Sequence, residues 1–270
     1  MRTLVVNADD FGFTRDVNAG IVRAHREGIL TATTLMASGD AFDDALRLSR
    51  ENPTLDIGVH LQMVQGRSTA QPDRQLPETV TQLIRDLLAG KWDVFAELSA
   101  QVERILATGI KPTHLDTHKH THLLPAVLDA VARVSEKYNI HWVRKPFDLP
   151  LDGRRAGWKT RLASKAMRGM RQHFDTALAR HGAQSTNHFA GFVWTGNYRA
   201  EDLIELVRNL PQGTTEFMCH PGELGEELRA ATTRLKESRV QELQALIDPR
   251  VKQALKEANV TLCGYRDLAR

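Results

Sequence analysis

Thr113-His114-Leu115-Asp116-Thr117-His118-Lys119-His120-Thr121-His122 sets four of the eleven histidines and one aspartate in ten residues, between Pro112 and Pro125. As a helix, this stretch would line up His114, His118 and His122 at i, i+4 and i+8. As a strand, His114, Asp116 and His118 alternate onto one face, and His120 and His122 lie in the loop beyond. Pro125 is well placed in the first turn of a following helix that carries Val127, Leu128, Val131 and Val134,. The span between the prolines then holds only a short strand and a loop, so the strand reading is preferred.

Working outward, the same strand, loop and helix alternation recurs along the chain. Thr3 to Asp10 is a β-rich run ending in two carboxylates; Phe11-Gly12-Phe13 turns the chain, Thr14 can N-cap, and Val17, Ile21, Val22 and Ala24 form a helical stripe up to Gly28,. Ile29 to Ala37 is a second strand, followed by a helix from about Phe42 to Arg50, and Leu55 to Gln62 is a third strand carrying His60,. Residues 66 to 76 are polar and aperiodic, an excursion of the kind that covers a substrate site,. Ile140 to Phe147, His188 to Trp194 and Thr214 to His220 read as strands five to seven, with helices over Glu201 to Asn209 and Val251 to Asn259, and Val260 to Cys263 as a last strand. Strands alternating with helices throughout predict an α/β fold, a single deformed (β/α) barrel over residues 1–270 with mostly parallel strands and helices outside,.

Bulk properties narrow the function classes. A hydrophobic content of 41% and a charged content of 26% fit a folded globular chain,. The longest apolar runs fall short of the roughly 20 residues that span a bilayer, and Met1-Arg2-Thr3-Leu4 leads straight into a strand pattern, so a cytoplasmic location is expected,. Cys219 and Cys263 lie outside any CxxC and read as packing residues,. The net charge of +3 is local, since Gly153 to Phe174 holds seven Lys/Arg and no acid, with Trp158, Leu162, Ala166, Met170 and Phe174 recurring every four residues. That pattern describes an amphipathic helix whose basic face is either merely solvated or, over 154–174, a peripheral membrane contact. The positive charge is confined to one helix rather than forming a stripe interleaved with aromatics, which argues against nucleic acid as a partner. A homodimer is compatible with these properties.

In a (β/α) barrel, functional side chains gather at the carboxyl ends of strands. Asp9 and Asp10 end strand one, His60 strand three, His118 strand four, Arg144 strand five, Trp194 strand six and His220 strand seven. Taken singly, each has an ordinary explanation: paired aspartates serve turns, and a lone histidine in an apolar strand is usually a hydrogen-bonded core residue. Their joint placement is harder to assign to packing. Two histidines and a carboxylate leave coordination positions open on a divalent ion, as catalytic sites require, and Asp10, His60 and His118 are assigned to it. Asp9 suits the general base and His220 the general acid, with Arg144 holding Asp9 ionised. Zinc or magnesium is the first expectation for the single divalent ion.

The motifs Asn7-Ala8-Asp9-Asp10-Phe11-Gly12, Gly58-Val59-His60-Leu61 and Pro112 through His122 resemble those of the YdjC-like family of carbohydrate deacetylases, in order and over nearly the whole chain. The resemblance implies a deformed (β/α) barrel, metal-dependent N-deacetylation of an acetylated amino sugar or glycolipid, and ligands at Asp10, His60 and His118. Arg144-Lys145-Pro146-Phe147, Trp194 and Met218-Cys219-His220 also echo the more distant polysaccharide deacetylases, with Met218 departing from their pattern. Substrate-binding roles for His120, His122 and Trp194 follow from the same comparison. A metal-dependent phosphoesterase is the rival enzyme, but neither GxGxxG nor a P-loop is present,. A non-catalytic sugar or lipid-headgroup binder is the alternative from outside enzymology.

Overall fold

The computed structural model describes residues 1–149 and 170–268. Its strands are β1 (Arg2–Phe11), β2 (Ala32–Leu35), β3 (Asp56–Leu61), β4 (His114–Thr117), β5 (Trp142–Val143), β6 (His188–Ala190), β7 (Gly213–Cys219) and β8 (Val260–Leu262). They pair in parallel in the order β5-β4-β3-β2-β1-β7-β6, a curled half-barrel with helices around it. The long β1 is its axis: β7 runs along one edge, while β8 takes the lower part of the other edge, Arg2 to Leu4, and β2 the upper part from Asn7. Every residue from Leu4 to Phe11 is buried, because helices cover one face of the strand and the barrel interior the other,.

Among the described residues no ladder joins the edge strands β5 and β6; isolated bridges link Trp142 of β5 to Gln184 and Asp148 to Phe189 of β6, the latter with Leu149 N–H donating to Phe189 O at 2.7 Å. The barrel is deformed at this seam. β5 is far shorter than the expected 140–147, because its pairing with β4 stops at Leu115 and Val143 and the chain then turns Arg144 into the interior. β6 ends at Ala190 rather than Trp194: Gly191 follows at φ 123, so close to β7 that a Cβ would lie 2.4 Å from the Met218 carbonyl oxygen,.

The helical expectations near the site hold. α1 (Arg15–Glu27) is capped by the Thr14 side chain, which accepts from Val17 N–H, and buries Val17, Ile21, Val22 and Ala24. α2 spans Phe42–Glu51, α3 Val80–Leu88 and α4 Val94–Leu106; α5 (Pro125–Tyr138) starts on its proline as anticipated. The expected basic helix over 154–174 lies largely outside the described residues; α6 (Arg171–Arg180) buries Phe174 and Leu178. α7 is Ala200–Arg208 and α8 Glu226–Ala230; α9 (Glu237–Ile247), which the sequence reading did not single out, precedes α10 (Pro249–Glu257). Among the described residues no helix is long and apolar enough to cross a membrane.

Candidate metal centre

Successive side chains of a regular strand point to opposite faces. Asp9 and Asp10 escape that rule because β1 bulges there: Ala8 pairs with Thr33 and Phe11 with Leu35, three steps against two, and Asp10 takes φ 70,. The bulge lets both carboxylates serve one cavity. Asp10 Oδ1 stands 3.3 Å from His60 Nε2 and 3.3 Å from His118 Nδ1, and those two nitrogens are 3.2 Å apart.

This triangle fits a cation. The edge of a tetrahedral site with bonds of about 2.0 Å is about 3.3 Å. Asp10 Oδ1 is buried without a hydrogen-bond partner among the described residues, and two imidazoles and a carboxylate are suitable donors,. The far sides of the rings are anchored. His60 Nδ1 faces Asp116 Oδ1 at 2.7 Å, leaving Nε2 toward the triangle, and His118 Nε2 faces Gln65 Oε1 at 3.2 Å, leaving Nδ1,. Burial opposes charge on His60, but Asp116 and Asp10 outweigh it and push its pKa up to about 10,. Burial also opposes ionisation of Asp10, yet Arg239 and the two histidines hold its carboxyl well below the usual range.

Behind the triangle Arg144, 1% exposed, is shared by three carboxylates. Its Nη1 and Nη2 donate to the two Asp9 oxygens at 2.8 and 2.7 Å, Nη1 also lies 2.8 Å from Asp116 Oδ2, and Nε donates to Glu216 Oε1 at 2.7 Å. One guanidinium thereby orients Asp9 directly and His60 through Asp116. His220, beyond the end of β7, places Nε2 3.8 Å from Asp9 Oδ2 and keeps a buried Nδ1 without a partner among the described residues. Its loop approaches α1 so closely that a Cβ on Gly20 would lie 2.4 Å from Gly222 Cα.

Asp9, Asp10, His60, His118, His120 and His220 all line a cavity of about 1030 Å³, whose walls also include Phe13, Phe192, Asn197 and Lys236. His120 reaches it from a left-handed backbone, φ 52, with its ring beside Phe192. The other expected site residues stand elsewhere. Arg144 is behind the cavity wall. His122 is fully buried, with Nδ1 against Thr117 Oγ1 and Nε2 donating to the Arg144 carbonyl, and burial lowers its pKa to about 4. Trp194 packs edge-on against Phe217, while its neighbours Val193 and Thr195 face the cavity. The 66–76 excursion does not line the cavity either; Glu97 pins it, accepting from Ser68 Oγ and from the Thr69 and Ala70 N–H groups.

Three residues were missed from sequence. Gln65 anchors His118. Arg239 on α9 donates from Nη2 to Asp10 Oδ2 at 2.5 Å, and Glu242, one turn on, accepts from the His220 and Gly196 N–H groups at 2.6 and 2.7 Å. The available signal was two opposite charges on the apolar stripe of a helix: Arg239 and Glu242 share the buried face with Leu243 and Leu246.

The sequence model of the family described as YdjC-like protein matches residues 3–257. The chain belongs to the YdjC-like family. A carbohydrate deacetylase of Brevibacillus brevis is 32% identical over 98% of this chain and 99% of its own length. A chitooligosaccharide deacetylase of Salmonella paratyphi B is 30% identical over 98% and 96%. A crystal structure from Enterococcus faecalis V583, of a protein named for cellobiose-phosphate cleavage, superposes with a TM-score of 0.74 at 23% identity, covering 100% of this chain and 99% of that one. The two chains therefore share one fold along the entire length.

Proposed function

We propose that this protein is a divalent-metal-dependent hydrolase that removes the N-acetyl group from an acetylated amino sugar or its conjugate. The observation that carries the reading is the meeting of the Asp10, His60 and His118 donor triangle with Asp9 and His220 in one cavity. The relatives named as carbohydrate deacetylases support the substrate class. The cavity is also roomy enough for a saccharide, with Phe13 and Phe192 as apolar surfaces for sugar rings,.

Asp10, His60 and His118 would hold a divalent ion, which when bound would supply Lewis acidity toward the amide carbonyl and a lowered water pKa,. The chain's own residues then handle the protons. Asp9, fixed at both oxygens by Arg144, retains outward lone pairs and accepts a proton from the attacking water,. His220 donates a proton to the amine nitrogen as the C–N bond breaks, releasing acetate and the free amine. Glu242 positions it by binding its backbone N–H. Asp116 and Gln65 orient the two imidazoles, and His120 meets the sugar at the rim. The test is Asp9→Asn, which is expected to abolish acetate release from N-acetylglucosamine oligomers while metal content is retained. Acetate release at the unaltered protein's rate would remove Asp9 from the mechanism.

A further inference from the structure

Asp10 has two oxygens, and they are engaged very differently. Oδ1 faces His60 and His118 and has no hydrogen-bond partner among the described residues, whereas Oδ2 receives Arg239 Nη2 at 2.5 Å. Arg239 is itself immobilised: it is 1% exposed, its Nε donates to the Leu235 carbonyl at 3.2 Å, and its own carbonyl accepts from Gly222 N–H at 3.2 Å. Gly222 leaves the room it needs, since a Cβ there would lie 3.0 Å from Arg239 Cδ. A carboxylate whose second oxygen is held by a buried guanidinium offers a metal one oxygen only.

We infer that Arg239 is a positioning residue that confines Asp10 to single-oxygen ligation and so biases the centre toward small ions of low coordination number, zinc over manganese or magnesium. Tetrahedral zinc is satisfied by one oxygen and two imidazole nitrogens plus one further ligand. Harder ions favour more oxygen ligands, and a freed Asp10 could offer them a second. The guanidinium charge also repels every cation at the site, so removing Arg239 changes overall affinity by two opposed effects. The ratio of affinities isolates the effect on denticity.

This inference rests on the assignment of Asp10, His60 and His118 as metal ligands, and its test requires no substrate. Zn²⁺ and Mn²⁺ affinities are measured on the metal-stripped full chain by competition with a chromophoric chelator, for the unaltered protein and for Arg239→Met, Arg239→Gln and Arg239→Lys. Partners that orient metal ligands typically change affinity about 10- to 100-fold, so the zinc-to-manganese ratio is expected to fall about tenfold in the methionine and glutamine variants. The lysine variant, which keeps a cationic donor, is expected to retain most of the preference. Reading glutamine beside methionine keeps a packing defect in either one from deciding the result. A ratio within about threefold of the unaltered value in both neutral variants, including equal weakening of both ions, would make Arg239 a structural staple and overturn the inference. If the unaltered protein binds neither ion, the ligand assignment itself fails instead.

Discussion

Replacing Arg144 with methionine removes the guanidinium shared by Asp9, Asp116 and Glu216, all of which are buried. Burial works against the Arg144 charge, but the three carboxylates outweigh it and raise its pKa well above the usual value. Methionine replaces the aliphatic stem but ends near the position of Arg144 Nε, so the loss of the charge is joined by a small void where the guanidinium stood. Breaking a buried ion pair by removing one partner costs about 3–5 kcal/mol, because the remaining charge is left without compensation. Against a total stability of about 5–15 kcal/mol, that is a large fraction. With a urea dependence near 3 kcal/mol per molar, the unfolding midpoint at pH 7 should fall by about 1–2 M. Glu216, whose pKa burial already raises, should relieve part of the cost by taking up a proton. The deficit should therefore shrink when Glu216→Gln is added, and the paired measurement tests the cause as well as the size. A midpoint within about 0.2 M of the unaltered protein would refute the view that this guanidinium holds the three carboxylates together.

Other consequences are open to direct measurement. Burial lowers the pKa of both His114 and His122 to about 4, while an unfolded histidine titrates near 6.5,. Below pH 6.5 the unfolded chain binds protons that these folded residues refuse, so stability should fall as pH drops from about 6.5 to 4, by up to about 3 kcal/mol per histidine. Urea midpoints that do not change between pH 7 and pH 5 would contradict this. Alanine usually favours a helix interior over glycine by about 1 kcal/mol, but Gly20→Ala drives its Cβ into Gly222 and should lower both the melting temperature and deacetylase activity,. A stabilised, fully active variant would refute the close-contact account of the His220 loop. Asp116→Asn removes the carboxylate facing His60 Nδ1 and should weaken zinc binding about 10- to 100-fold in chelator competition; unchanged affinity would deny Asp116 its orienting role,.

The barrel was legible because its strands are short apolar runs spaced by helical stripes, and because Pro112 and Pro125 leave the histidine segment too little room for a helix. Chain order also placed Asp10, His60 and His118 at the carboxyl ends of strands that prove to be neighbours in the sheet or nearly so. Less visible was anything set by backbone irregularity or by distant pairing. Alternation alone could not tell that a bulge aims Asp9 and Asp10 into one cavity, or that left-handed Lys119 and His120 separate His120 at the rim from His122 in the core. Trp194 sits in a turn that Gly191 begins, four residues past the end of β6. Arg239 and Glu242 lie some 230 residues after Asp10 on a helix that looks surface-like in charge count. The one sign in the sequence that its charged pair points inward is that Arg239 and Glu242 share the apolar stripe with Leu243 and Leu246.

The central claim, that this cavity hydrolyses the acetamide of a sugar through a divalent metal, is tested most directly by following acetate and free amine released from N-acetylated chitooligosaccharides. The protein is stripped with chelator and then reloaded with zinc, manganese or magnesium. Stripping should abolish release, and one equivalent of metal per chain should restore it, with acetate and amine appearing in equal amounts. Undiminished turnover by the stripped protein, or no turnover of any acetylated sugar by the fully loaded one, would contradict the account.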